Sequence, residues 1–351
     1  MSVKLCRFVF PSIFRDNGTI NFSYSVLHEF FKKYCLASKK DIDKVAKRVA
    51  EDIRGFGFIT QAYLDVASDY ISAVNGLAPR ILGVYLDPKK ISTGILDERR
   101  NVIIPTKNSI DDIFDGDKPI LFDQYLLRGV VTYLSPVDVV NHYVLWRNYG
   151  YNELPHPVFI AKNPSCIVGH GHPIMLPEEC IGQQVEPESE VAVYFKKPLA
   201  YQTVVDVTKQ IGEGKLSIGL TIENDITWQD PAKSIPAEAS RIKSQYSFAS
   251  VGPFLQLNFD INKVAGRESI LYLNDEKKQE CKIGEWKYSI AEVLSYYSQN
   301  FLTAGPTLIS MGTNPENLQR LNTGDQVICE ITDLGMLVNP IIGLKNGIYI
   351  N

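Results

Sequence analysis

The sequence holds no basic block, no C-x-x-C pair and no apolar run near the roughly 20 residues that span a bilayer. Each absence removes a class of function. Without clustered lysine and arginine, and with a net charge of -4, the chain offers phosphates no surface to bind, so no nucleic-acid partner is expected. The six cysteines (Cys6, Cys35, Cys166, Cys180, Cys281 and Cys329) are scattered, and none lies at zinc-finger spacing from a histidine. They are expected to be free thiols packed as small apolar side chains. The opening "MSVKLCRFVF" lacks a long apolar core followed by a cleavage site. The expectation is therefore a cytoplasmic chain with no membrane association. There is no internal repeat and no low-complexity tract. What remains is 351 residues, 45% apolar and 22% charged, the composition of a globular protein. A chain of this size buries roughly three-quarters of its unfolded surface, in one large domain or two smaller ones.

Hydrophobic periodicity gives an α+β, β-rich fold class. Residues 1–130 mix helix and strand. The clearest helix there is "SKKDIDKVAKRVAEDIRGFG", with Ile42, Val45, Ala46, Val49 and Ile53 on one face and Ser38 and Asp41 as a capping box. "ILGVYLD", "STGILDE" and "NVIIP" read as short strands. Residues 131–351 form a second domain dominated by apolar alternation, in "SEVAVYF", "LSIGLTIE", "FLQLNFDI", "SILYLND", "QVICEITDL" and "MLVNPIIGL". One strong helix interrupts them, "SIAEVLSYYSQNF", with Ile290, Val293, Leu294, Tyr297 and Phe301 on one side. Ser289 and Glu292 form its capping box.

The stretch "VEPESEVAVYF" carries Glu188 and Glu190 two residues apart at the start of a strand. Alternation puts both on one face, with Cα atoms roughly 7 Å apart, and Val191, Val193 and Phe195 on the other. Carboxylates that close repel unless solvent or a cation relieves them, and a hard divalent ion with oxygen ligands does so well. E-x-E is also common on solvated strand faces, so a third ligand is needed. "LTIENDITWQD" offers Asp225 at the end of another strand, a position equally suited to a turn or cap residue.

Taken in order, these segments resemble the fumarylacetoacetate hydrolase superfamily. "ESEVAVYF" is similar to its E-x-E strand, and "ENDIT" to its N-D-[VI]-[ST] segment. Lys243 stands ten residues before Pro253, in the Gly-Pro step of "SQYSFASVGPF", as the family's lysine does. "SMGTNP" and "GDQVICEITDLG" match its later turn and strand, and "LSPVDVVNHYVLWRNYGYN" its R-N-Y entry segment. The resemblance implies a mixed β-sandwich roll of that type over roughly residues 130–342, usually a homodimer. It implies that Glu188, Glu190 and Asp225 hold Mg²⁺, or Mn²⁺ or Ca²⁺ in its place. It implies a small-molecule 2-oxo acid substrate whose enolate the ion stabilises. Lys243 would balance the carboxylates and hold substrate. Gly312 and Thr313 would meet the substrate carboxylate.

Two departures bear on the reaction. Hydrolytic members follow R-N-Y with a His and Glu that activate water. Here "RNYGYNELPHPVF" is too short, and Glu153 and His156 have the wrong spacing. The family's A-R-D reads Trp228-Gln229-Asp230, leaving Arg147 and Arg241 as candidates for the missing arginine. "CIVGHGHPI" is instead similar to the V-G-H-G segment of the superfamily's 2-keto-3-deoxy sugar acid dehydratases, which makes His170 a candidate acid or substrate contact, with His172 beside it. His28 and His142, on apolar stretches, are expected in the core or on the surface. The leading expectation is a lyase acting on such a sugar acid. The alternatives are a C–C hydrolase of a β-diketo acid and a member that binds ligand without turnover.

Overall fold

A computed structural model describes residues 3–9, 92–98, 102–120, 126–127, 132–150, 154–230, 238–301, 305–345 and 348–350. The helix expected over 38–57, the strand expected at 81–87, and His28, Cys35 and Glu153 lie outside the described residues. The chain forms two compact units, Lys4–Leu134 and Ser135–Asn351, with Met1–Val3 grouped with the second. No helix among the described residues is long and apolar enough to cross a membrane.

In the smaller unit, β1 (Val3–Val9) pairs with β2 (Ser92–Asp97), and β2 with β3 (Val102–Thr106), all antiparallel. The short helix α1 (Ile110–Phe114) follows, closed by a reciprocal capping box between Ser109 and Asp112. Strand β4 (Thr132–Leu134) returns to pair with β1. Leu5, Cys6 and Ile103 are fully buried. The expected strands "STGILDE" and "NVIIP" are β2 and β3.

The larger unit is strand-rich. Its elements in chain order are β5 (Asn141–Trp146), β6 (Val158–Lys162), β7 (Ser189–Phe195), α2 (Val204–Gly212), β8 (Gly219–Asp225) and α3 (Ala239–Lys243). Then come β9 (Ala249–Leu257), β10 (Glu268–Leu273), β11 (Glu276–Lys282), α4 (Ile290–Asn300), β12 (Thr307–Ser310), β13 (Gln326–Ile331) and β14 (Gly335–Lys345). One sheet runs β9–β8–β7–β12–β5–β6, with β12 and β5 parallel and the other pairs antiparallel. A second, antiparallel, runs β11–β10–β13–β14. This is the β-rich α+β architecture that the alternation predicts.

The core joins Val191, Val193 and Phe195 of β7 to Leu220 and Ile222 of β8, Leu271 of β10, Val327 of β13 and Val293, Leu294 and Tyr297 of α4. Tyr297 meets Phe195 edge to face at 5.6 Å. Helix α4 starts where "SIAE" places it: the Ser289 hydroxyl accepts from the Glu292 N–H, and the Glu292 carboxylate accepts from the Ser289 N–H. Strand β7 is buried along its whole length on both faces. The face that carries Glu190 is therefore interior, and its charges must find partners within the protein.

Candidate functional site

Strand pairing assembles the acidic residues. Glu190 on β7 lies opposite Glu223 on β8, and Ser189 opposite Asn224. The Asp225 N–H donates to the Glu188 carbonyl at 2.9 Å, so the end of β8 sits beside the entry to β7. Carboxylate oxygens of Glu188, Glu190 and Asp225 lie within 4.8 Å of one another. Glu190 and Asp225 are buried, and Glu188 is partly exposed. Glu190 Oε2 accepts the Gly312 N–H at 2.8 Å. Gly312 has φ +90, and a Cβ there would lie 3.3 Å from the Cβ of Asn148, so this close approach needs glycine. Asn148 in turn donates to the Met311 and Tyr288 carbonyls and accepts the Tyr288 N–H. The middle residue of R-N-Y thus anchors the turn that presents Gly312.

Two lysines enter this acidic cluster. Lys243, the last residue of α3, donates to Glu188 Oε1 at 3.2 Å, to Asp225 Oδ2 and to Thr227 Oγ1 at 2.5 Å. Thr227 donates onward to Glu188 Oε1 at 2.5 Å. Burial alone would lower the pKa of Lys243, but Asp225, Glu188 and Glu190 outweigh it and raise it, so the group stays an ammonium. Lys162, at the end of β6, donates to Asp225 Oδ1 at 2.5 Å and to the Phe248 carbonyl at 2.9 Å. Its pKa is also raised, because Asp225 and Glu223 overcome the cost of burial. Glu223 receives His142 Nε2 at 2.9 Å and the Ser310 hydroxyl at 2.5 Å. Burial would raise its pKa, but His142, Lys162 and Ser310 hold it at about 2.

The donor set suits a hard divalent cation. Burial, reinforced by Asp225 and Glu188, pushes the Glu190 pKa well above the usual carboxylate range. Burial also raises that of Glu188, with Lys243 opposing. Both shifts are those of carboxylates short of positive charge. Three oxygen donors from three side chains, one of them on the cavity wall, match Mg²⁺ or Mn²⁺ better than a softer metal.

A cavity of about 590 Å³ opens over the cluster. Glu188, Thr227, Gln229, Lys243, Thr313 and Arg147 supply its polar lining. Leu145, Trp146, Val158, Ile160, Ile242 and Leu318 form much of the apolar wall. Arg147 adopts φ +57 and stacks over the Trp146 ring at 4.4 Å, which fixes its guanidinium at the rim. Thr313 Oγ1 lies 3.3 Å from Gln279 Oε1. The structure thus brings Glu188, Glu190, Asp225, Lys243, Gly312, Thr313 and Arg147 to one place.

His170 is placed elsewhere. It is absent from the cavity lining, and its Nδ1 accepts the Val338 N–H of β14 at 3.2 Å. The V-G-H-G turn therefore ties to the second sheet. Arg241 also misses the cavity: it pairs with Glu238 and lies over the Trp228 ring at 5.2 Å. The sequence reading did not single out Lys162, Glu223, Thr227 or Ser310. Glu223 and Asp225 share strand parity, the same signal that drew attention to Glu188 and Glu190.

Relatives place this geometry. Over 236 residues the chain is 26% identical to a mitochondrial oxaloacetate tautomerase, FAHD2A of Bos taurus, spanning 62% of this chain and 71% of that protein. It is 25% identical over 187 residues to a bifunctional isomerase/decarboxylase of 4-hydroxyphenylacetate degradation from Salmonella dublin, covering 53% of this chain and 41% of that one. A solved 5-carboxymethyl-2-hydroxymuconate delta-isomerase from Mycobacterium smegmatis superposes with a TM-score of 0.62 at 20% identity, over 73% of this chain and 97% of that one. A maleylpyruvate hydrolase from Sphingobium sp. SYK-6, solved with manganese(II) and pyruvate, gives 0.59 at 19% identity, over 72% and 96%. The family model for the C-terminal domain of fumarylacetoacetate (FAA) hydrolase matches residues 134–342, more than half the chain and all of the site just described, and the chain belongs to that family.

Proposed function

We propose that the protein binds a 2-oxo acid beside a divalent cation held by Glu188, Glu190 and Asp225, and moves a proton at the carbon next to the ketone, as a tautomerase or isomerase does. The observation that carries this reading is the convergence of three carboxylates on one point, with Glu188 and the Lys243 ammonium lining a mostly apolar cavity and Glu190 and Asp225 buried behind them. When bound, a Mg²⁺ or Mn²⁺ ion would stabilise the negative charge that develops on the ketone oxygen.

The chain's own residues supply the rest. Lys243, beside Glu188 and Asp225 at the cavity wall, supplies a positive charge for the substrate carboxylate, and with a cation on those carboxylates it is the group placed to carry the proton of the carbon next to the ketone. Arg147 offers a second cation at the rim. The Thr227 hydroxyl is oriented by Lys243 and Glu188. Val158, Ile160 and Ile242 supply an apolar wall for the substrate's carbon skeleton. Proton transfer needs a cation site with a charged group beside it, which these residues supply, whereas hydrolysis needs a water-activating group in addition. The tautomerase and isomerase relatives, and the pyruvate and manganese in the solved hydrolase, support the same class of substrate.

Dehydration of a 2-keto-3-deoxy sugar acid is a second reading, favoured by the segment "CIVGHGHPI". The aliphatic wall fits a polyhydroxyl tail poorly, because each buried hydroxyl needs a partner. The test is proton exchange in D₂O, followed by NMR at C3 of 2-oxobutyrate, the carbon next to the ketone, and at the matching carbon of other 2-oxo acids. Exchange is expected to rise at least about tenfold with enzyme and Mg²⁺, and to be lost with EDTA and in Glu190→Gln. Background exchange throughout the panel at saturating Mg²⁺ contradicts the reading, and a dehydrated product from a 3-deoxy sugar acid favours the second.

A further inference from the structure

Behind the three carboxylates lies a second layer of buried charge. Directly paired residues place their side chains on the same side of a sheet. Glu190 faces Glu223, Ala192 faces Ser310, Leu308 faces His142, and His142 faces Lys162. One face of the sheet therefore carries a polar stripe from Asp225 through Glu223 and Ser310 to His142 and Lys162. The side chains of His142, Glu223 and Lys162 are fully buried. His142 Nε2 lies 3.0 and 2.9 Å from the two Glu223 oxygens, and its Nδ1 has no hydrogen-bond partner among the described residues. Lys162 Nζ lies 3.6 Å from Glu223 Oε1 and 2.5 Å from Asp225 Oδ1.

Buried ion pairs of this kind add little stability compared with apolar side chains of the same volume, so the stripe needs another explanation. Its position gives one. Lys162 and Lys243 both contact Asp225. Two ammonium groups on one carboxylate compete with any cation for its charge. Glu223 supplies a compensating negative charge next to the ammonium that faces away from the cavity. We propose that Glu223, held by His142 and Ser310, is a positioning residue that offsets Lys162 and so keeps Asp225 available to a divalent cation. This rests on the reading of Glu188, Glu190 and Asp225 as a cation site.

Calorimetric titration of Mn²⁺ into the purified protein tests it. Glu223→Gln is expected to weaken Mn²⁺ binding about 10- to 100-fold. The double variant Glu223→Gln/Lys162→Met, which removes both members of the pair, is expected to return to within about threefold of the parent. Such rescue separates charge offset from a general loss of packing. Unchanged affinity in Glu223→Gln overturns the proposal, and so does a loss in the single variant that the double variant does not restore. Where Glu223→Gln does not fold, Ser310→Ala takes its place: about threefold weaker binding supports the proposal, and none overturns it. No Mn²⁺ binding by the parent protein removes the cation site itself, a different failure from affinity that ignores Glu223.

Discussion

At the scale of single residues, the site is costly to build. Glu190 is nearly inaccessible to solvent at 1% exposure, and its backbone partner is the N–H of Gly312. That contact depends on a left-handed backbone that only glycine adopts without strain. Gly312→Ala is expected to destabilise the protein by about 1–3 kcal/mol in chemical denaturation, and a change under ~0.5 kcal/mol would count against the close packing described. Cys166, Cys180 and Cys329 behave oppositely, as buried apolar filler. Burial pushes Cys166 to about 11, and Cys180 and Cys329 to about 12. A raised pKa means less thiolate at a given pH, so at pH 8 each is ionised in about one molecule per thousand or fewer. Alkylation of the native protein at pH 8, mapped by mass spectrometry, is expected to leave all three unmodified, and denaturation to expose them. Rapid native labelling of Cys329 contradicts this. A period of two made the pairing of Glu188 with Glu190 legible in the sequence, whereas Asp225 joined them only through the resemblance in motif order, because no local pattern separates a ligand from a turn residue at a strand end. Lys162 and His142 were not legible, because their partners lie on β8, reached only by strand pairing that no local pattern encodes.

At the scale of elements, caps and alternation carry most of the information. Helix α4 follows from its capping box and apolar stripe, and both features recur in the structure as read. Ser289→Ala is expected to cost about 1 kcal/mol in thermal or chemical unfolding, with Ser289→Asp close to the parent. Equal stability of all three removes the cap as a determinant of the helix. Helix α2 was not anticipated, although Thr203 and Asp206 form the same box. The reason is its thin apolar face. Only Val207 is buried, while Val204 and Val205 are exposed, so periodicity has almost nothing to report. The strands over residues 189–195 and 219–225 were clear from alternation. That β7 is buried on both faces was not, because its charged residues suggested one face toward solvent.

At the scale of the whole molecule, the family match rests on the order of several weak motifs, and order survives where identity does not. The R-N-Y segment shows why. Its asparagine holds the Gly312 turn, an architectural role, whereas the arginine lines the cavity. The V-G-H-G segment is tied to the second sheet through His170 and is not among the residues that line the cavity.

The central claim is that Glu188, Glu190 and Asp225 grip one divalent ion. Crystals soaked with Mn²⁺ and measured for anomalous scattering test it most directly. The account expects one strong peak about 2.2 Å from an oxygen of each of the three side chains. A clean map between those carboxylates, with Mn²⁺ bound elsewhere on the chain, would contradict it.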